Sequence, residues 1–86
     1  MSKQSEFKNH DKFIQIGINI GTVRRLRGLS QEQLAEKSHI SRSFLSAIEA
    51  PKTVRPFSLE VLFNIAEALD VSPGDLIDAS ILNNVI

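Results

Sequence analysis

The sequence predicts an all-α fold, a compact bundle of five helices in a single domain. Eighty-six residues suffice for one domain and are too few for two. One pattern occurs four times: an apolar residue, a serine, three residues and a second apolar residue. A serine so placed is a typical N-cap, and the two apolar residues can pack on each other across the first helical turn. The hydrophobic fraction of 42% is that of a chain that folds.

The first helix lies in an ambiguous segment. In residues 14–21, IQIGINIG, isoleucine recurs at every second position, which by itself is typical of a strand. The segment also has apolar residues at helical spacing, at Phe13, Ile16, Ile20 and Val23. We favour a helix over residues 12–27, because the segment runs unbroken to Gly28, a good helix stop, and no second strand is visible to pair with it.

The repeated serines predict the starts of the other helices. These serines are Ser30, Ser41, Ser58 and Ser72. The helices are expected near residues 31–38, 42–49, 59–69 and 73–79. Ser30 and Gln33 have the spacing of a capping box, as do Ser72 and Asp75 less strongly. Pro73 falls at the first helical position, where its missing N–H costs nothing.

These assignments divide the chain into three parts. Residues 1–11 are polar and lack periodicity, so we expect a flexible arm. Residues 12–79 form the domain, and residues 80–86 form an apolar C-terminal tail. The tail either folds onto its own domain or stays exposed for a partner, and the sequence leaves both open.

The charge is unevenly distributed, although the formal net charge is zero. Residues 1–55 hold all ten Lys and Arg residues and five acids, a net charge of +5. Residues 56–86 hold five acids and no basic residue, a net charge of −5. This asymmetry predicts a basic working face and an acidic opposite end.

Composition argues against several classes of function. The absence of cysteine removes disulfides and thiolate metal sites. The two histidines, His10 and His39, fall in the arm and in a turn, and no phosphate loop or metal-ligand spacing is present. We therefore expect no catalysis, no cofactor and no metal. No apolar run approaches the roughly 18 residues of a membrane span, and the polar start does not resemble a signal peptide, so we expect a soluble cytoplasmic protein.

Two of the predicted helices have the layout of a helix-turn-helix. Helices two and three are eight residues each and are joined by three residues. In this arrangement the first helix crosses the DNA backbone and the second enters the major groove. Four apolar residues are expected to close the small core between them: Leu34, Ile40, Leu45 and Ile48. Ala35 is small enough to let the two helices approach.

The segments SQEQLAEK and ISRSFLSAIE, followed by ALDVSPGDLI, resemble the helix-turn-helix family of lambdoid phage repressors and Cro proteins, also called the xenobiotic-response-element family. The resemblance covers about residues 16–78. It implies a five-helix fold and two-fold binding to operator DNA. On that basis we expect a dimeric repressor that places two third helices in successive major grooves, with half-site centres about 34 Å apart.

The chain departs from the family pattern at two places. His39 occupies the turn position that is usually glycine, and histidine tolerates the left-handed conformation at some cost. Ala50 and Pro51 stand where a polar residue and glycine are common. With Pro51 and Pro56 bracketing the next loop, the exit from helix three is left open.

The resemblance implies that the start of helix three contacts DNA bases. The residues are Ser41, Arg42, Ser43, Ser46 and Ala47. Arg42 is the strongest candidate, because a guanidinium can bond guanine at two points, worth about 1–3 kcal/mol of discrimination. The alternatives are a solvated surface arginine at Arg42 and a purely capping role for Ser41.

The same resemblance implies phosphate contacts. They are expected from Gln31 at the start of helix two and from Lys52, Thr53 and Arg55 in the loop after helix three. It further implies that Arg24 forms a structural ion pair with Glu49 while remaining near enough to approach a phosphate. Arg25 and Arg27 could lie toward DNA or in solvent.

The aromatic residues are assigned to the core. Phe13, Phe44, Phe57 and Phe63 could stack on single-stranded bases, but their apolar surroundings favour core packing.

The apolar C-terminus predicts a dimer contact. The residues recur at spacings of about four: Ile77, Ile81, Leu82 and Val85. The alternative function depends on the same residues: an antitoxin or other interaction module that binds a partner protein through its C-terminus.

Overall fold

The structure is a computed structural model, and it describes residues 9–78. Over this range the chain forms five α-helices and no strand. They are α1 (His10–Leu26), α2 (Gln31–Ser38), α3 (Arg42–Glu49), α4 (Leu59–Leu69) and α5 (Pro73–Asp78). The predicted all-α class with five helices is confirmed. None of the described helices combines the length and hydropathy needed to cross a membrane.

Helix α1 begins earlier than the sequence indicated. His10 and Asp11, which the sequence places in the arm, lie in its first turn. The backbone N–H of Phe13 donates to the carbonyl of Asn9 at 3.2 Å. The Phe13 ring meets Phe57 edge to face, with ring centroids 5.2 Å apart, so the first turn is anchored on the domain.

The serine caps form as predicted. Ser30, Ser41 and Ser58 each accept a hydrogen bond from the backbone N–H three residues later, at 3.0–3.2 Å. Ser72 and Asp75 exchange reciprocal bonds of 3.2 and 3.3 Å. Each cap satisfies an otherwise free amide of a first turn, which explains why these local patterns fix the helix starts.

The helices pack around one core. Helix α1 contacts α3, α4 and α5, while α2 contacts α3 and α4, and α4 contacts α5. The buried core consists of Ile20, Val23, Leu34, Ala35, Leu45, Ile48, Leu62, Ile65, Ala66, Leu69 and Leu76. Ile40 is partly buried and packs against this core. The alternating isoleucines of residues 14–21 lie in α1, as predicted, and form no strand.

Two glycines of α1, Gly17 and Gly21, face the end of α3. A Cβ at Gly17 would overlap the backbone carbonyl of Ile48. A Cβ at Gly21 would lie 3.1 Å from the Glu49 carboxylate. Gly17 therefore lets the backbones of α1 and α3 approach closely, and Gly21, one turn later, leaves room for the Glu49 side chain.

A buried asparagine attaches α5 to α1. Asn19 is 2% exposed, and its side-chain nitrogen donates to the carbonyl of Leu76 at 2.8 Å. Its side-chain oxygen accepts from Gln15 at 3.0 Å. The short C-terminal helix is thus held by a polar bond as well as by the buried side chain of Leu76.

The core assignment of Phe63 is wrong, because this residue is 50% exposed. Helix α4 buries Leu62, Ile65 and Leu69, and Phe63 lies about 100° around the axis from Leu62. Phe44 and Phe57 are partly buried and pack against the core.

Candidate nucleic-acid interface

The turn between α2 and α3 closes without glycine. His39 has φ 62° and ψ 38°, the left-handed conformation. The next residue, Ile40, donates its N–H to the carbonyl of Ala35 at 3.1 Å and packs on the core. The His39 side chain is exposed, so only the backbone conformation carries a cost.

One face of α3 points away from the core. Leu45 and Ile48 are buried on the inner face. The residues expected to contact bases lie on the other side: Arg42, Ser43 and Ser46 are exposed and Ala47 is partly buried. Within residues 9–78 the structure gives Arg42 no hydrogen bond or ion pair.

Ser41 begins this face. Its hydroxyl caps α3 by accepting from the N–H of Phe44 at 3.0 Å. It also lies 3.3 Å from the hydroxyl of Ser43, within hydrogen-bond distance. The first turn of α3 thus presents two neighbouring hydroxyls beside Arg42.

A bonded network joins α1, α2 and α3. Arg24 donates from Nε to Glu49 Oε2 at 2.9 Å and from Nη2 to Glu49 Oε1 at 3.1 Å. Its Nη1 donates to the carbonyl of Leu29 at 2.7 Å. The Gln31 amide donates to Glu49 Oε1 at 3.0 Å. Because an amide nitrogen carries two hydrogens, Gln31 keeps one N–H for another acceptor.

The loop after α3 starts in an extended conformation. Ala50 has φ −68° and ψ 125°, as the following proline requires, so α3 ends at Glu49. Lys52 and Thr53 are exposed. The chain therefore leaves α3 in an extended conformation, a path that the sequence did not predict.

Arg55, also exposed, is held beside the first turn of α3. Its guanidinium carbon lies 4.6 Å from the Phe44 ring centroid. Its Nη1 donates to the carbonyl of Pro56 at 3.2 Å. The cation–π contact places a positive charge next to the exposed face of α3.

Arg25 and Arg27, whose directions the sequence left open, have different surroundings. Arg27 donates to the carbonyls of Leu69 and Asp70, at 2.8 and 3.4 Å, and so caps the end of α4. Arg25 is exposed and lies at the junction of α1 with Glu49. The sequence gives no signal for this difference, since it depends on which helix lies beside each side chain.

Of the residues predicted for the dimer contact, the structure describes Ile77, which lies on α5 and not on α3. Ile77 is 51% exposed on α5, which contacts α1 and α4. Leu59 and Phe63 on α4 are 66% and 50% exposed, two apolar surface residues that the sequence did not predict. Their spacing of four residues was the available signal. Ile81, Leu82 and Val85 lie outside the described residues.

In the described part of the chain, no group of three or more His, Asp or Glu residues could hold a metal ion.

Comparisons with known proteins identify the family of the domain. A family model described as helix-turn-helix matches residues 20–76. The transcriptional regulator SinR of Bacillus subtilis (strain 168) is 38% identical over 63 residues, which are 73% of this chain and 56% of SinR. The control protein C.SmaI of Serratia marcescens is 35% identical over 66 residues, 77% of this chain and 76% of that protein.

A solved structure has the same fold. The restriction-modification controller protein C.AhdI from Aeromonas hydrophila superposes with a TM-score of 0.69 at 34% identity, over 74% of this chain and 94% of that chain. The present chain spans little more than half the length of SinR.

Proposed function

This chain belongs to the helix-turn-helix family, and on that premise we propose that it is a sequence-specific, double-stranded DNA-binding regulator of transcription, acting as a dimeric repressor. The resemblance inferred from the sequence is thereby confirmed at the level of the family. Helix α3 enters the major groove, and the protein occludes a promoter.

The exposed face of α3 carries this proposal. Arg42, Ser43 and Ser46 project from a helix whose inner face is fixed in the core by Leu45 and Ile48. Packing of this inner face sets the position of α3 relative to the rest of the domain. Arg42 has the chemistry to bond guanine O6 and N7, while the serine hydroxyls and Ala47 suit base edges and a thymine methyl.

Backbone contacts would come from the residues around this face. Gln31, Lys52, Thr53 and Arg55 are the proposed phosphate ligands, and they flank α3 from the start of α2 and from the loop that follows α3. Arg24 has all three guanidinium nitrogens bonded within the protein, so its main role is structural. Such contacts set register and affinity rather than sequence preference.

The dimer contact is proposed on the acidic, C-terminal half of the domain. Leu59, Phe63 and Ile77, each at least 50% exposed, lie in that half. A second copy of this chain is the proposed occupant, because two-fold pairing through α4 and α5 leaves α3 of each copy free. Residues 80–86 would extend the contact.

Selection of binding sites from random duplex DNA tests the function. We expect the protein to enrich a palindromic site at near-physiological salt. Arg42→Ala should relax one position in each half-site, whereas Lys12→Gln, which removes one charge at the far end of α1, should leave the site unchanged. Sedimentation equilibrium of the free protein should give the mass of a dimer.

Two results would contradict this function in different ways. Failure of the wild-type protein to enrich any site would remove DNA as the ligand and favour a protein partner. Enrichment of an identical site by Arg42→Ala would keep the function and remove Arg42 from base recognition.

A further inference from the structure

An open notch lies between α1 and the loop that follows α3. It is lined by Ile18, Gly21, Arg25, Glu49 and Pro51. The absence of a side chain at Gly21 opens it, since a Cβ there would lie 3.1 Å from Glu49 Oε1 and 3.4 Å from Arg25 Nη1. The guanidinium of Arg25 therefore lies against the Gly21 backbone, close to the end of α3.

Arg25 differs from Arg24 and Arg27 in that its guanidinium is not bonded to another described residue. Arg24 is bonded to Glu49 and Leu29, and Arg27 to the end of α4. In the described part of the chain, Arg25 has no hydrogen bond or ion pair.

The neighbouring carboxylate does not cancel this charge. Both oxygens of Glu49 already accept from Arg24, and one also accepts from Gln31. Its side chain is 6% exposed, whereas Arg25 is exposed. The notch therefore presents a net positive charge, with Lys52 following directly after its Pro51 wall.

We propose that this notch binds a DNA backbone phosphate, with Arg25 as its ligand. A guanidinium matches two phosphate oxygens with two parallel N–H bonds. Glu49, which lines the notch, also accepts a hydrogen bond from Gln31. The backbone of one DNA strand would therefore contact both Gln31 at the start of α2 and Arg25. The inference rests on the proposed function and adds a backbone contact that the resemblance did not imply.

The salt dependence of DNA binding tests the assignment. Fluorescence anisotropy with the selected duplex, at several salt concentrations, would compare the wild type with Arg25→Gln, Arg25→Lys and Lys12→Gln. Lys12 lies on the same helix about 20 Å away, so its variant controls for loss of charge. Thermal unfolding would verify that each variant is folded.

Loss of one phosphate contact lowers the slope of log affinity against log salt by about 0.9, or about 1.8 for a dimer. We expect this for Arg25→Gln, together with at least about a tenfold loss of affinity at fixed salt and an unchanged preferred site. Arg25→Lys should retain most of the slope, and Lys12→Gln should match the wild type.

Other results would overturn the assignment. If Arg25→Gln and Lys12→Gln have the same slope and affinity, Arg25 contacts no phosphate, although the proposed function stands. If the wild type binds no duplex, the function fails and this site fails with it. Saturable binding of inorganic phosphate to the free protein, lost in Arg25→Gln, would indicate a small-anion site instead of a DNA contact.

Discussion

Arg24 and Glu49, 25 residues apart in the sequence, meet through two hydrogen bonds of 2.9 and 3.1 Å. Their side chains are only 10% and 6% exposed. The pair joins the C-terminal part of α1 to the last residue of α3. Since Gln31 bonds the same carboxylate, the start of α2 is tied to this point as well.

Removing the positive partner should be costly. Arg24→Met leaves the Glu49 carboxylate buried without its counter-charge, and we expect the free energy of unfolding to fall by about 3–5 kcal/mol. The double variant Arg24→Met, Glu49→Leu should lose less than Arg24→Met alone, because no unpaired charge remains. Urea denaturation followed by circular dichroism measures both, and a single variant as stable as the wild type would contradict the prediction.

Gln31→Ala should weaken DNA binding without altering its specificity. The variant loses the N–H available for a phosphate, so we expect lower affinity for the selected site and for mismatched sites by the same factor. Competition binding measures the two affinities. A change in the preferred base at any position would instead place Gln31 in base recognition.

Alanine should be tolerated poorly at Gly17. The added methyl group would overlap the Ile48 carbonyl and force α1 and α3 apart, at a cost of about 3 kcal/mol in unfolding free energy. Gly74→Ala is the matched control, since its Cβ would meet nothing closer than 3.9 Å. Chemical denaturation of both variants should separate them clearly, and equal stabilities would argue against the close approach.

His39→Gly should stabilise the protein. Glycine removes the penalty of the left-handed conformation, and part of this gain is offset by greater unfolded-chain entropy, so we expect about 1 kcal/mol. His39→Ala keeps the penalty and should give no such gain. The thermal midpoints of the two variants test this backbone effect. If the imidazole itself stabilised the fold, both variants would unfold at lower temperature than the wild type.

Ser38→Ala should also stabilise the protein, by about 1 kcal/mol. Ser38 is fully buried, and among the described residues its hydroxyl has no hydrogen-bond partner. An unpaired buried hydroxyl is unfavourable, and alanine is a better helix former. Thermal unfolding tests this, and a destabilised variant would indicate that a bound water satisfies the hydroxyl.

The elements that the sequence predicts well are those with local causes. The cap of Ser30 depends on a residue three positions away, so the amino-acid sequence is sufficient to predict it. The left-handed His39 is likewise a property of one turn.

The parts that were missed depend on tertiary neighbours. Arg25 and Arg27 are two residues apart, yet one lines the notch and the other caps α4, which requires knowing where α4 ends in space. Phe63 was assigned to the core because apolar spacing does not reveal which side of α4 meets α2.

The position of Glu49 limits how α3 can be transplanted into another protein. A graft of residues 31–49 onto a foreign scaffold would carry the Glu49 carboxylate without its counter-ion Arg24. It would also lose Gly17, whose missing side chain makes room for the Ile48 carbonyl. The smallest portable module therefore includes α1. In chimeric regulators, exchanging single side chains on the outer face of α3 should change specificity at far lower cost than exchanging the two-helix unit.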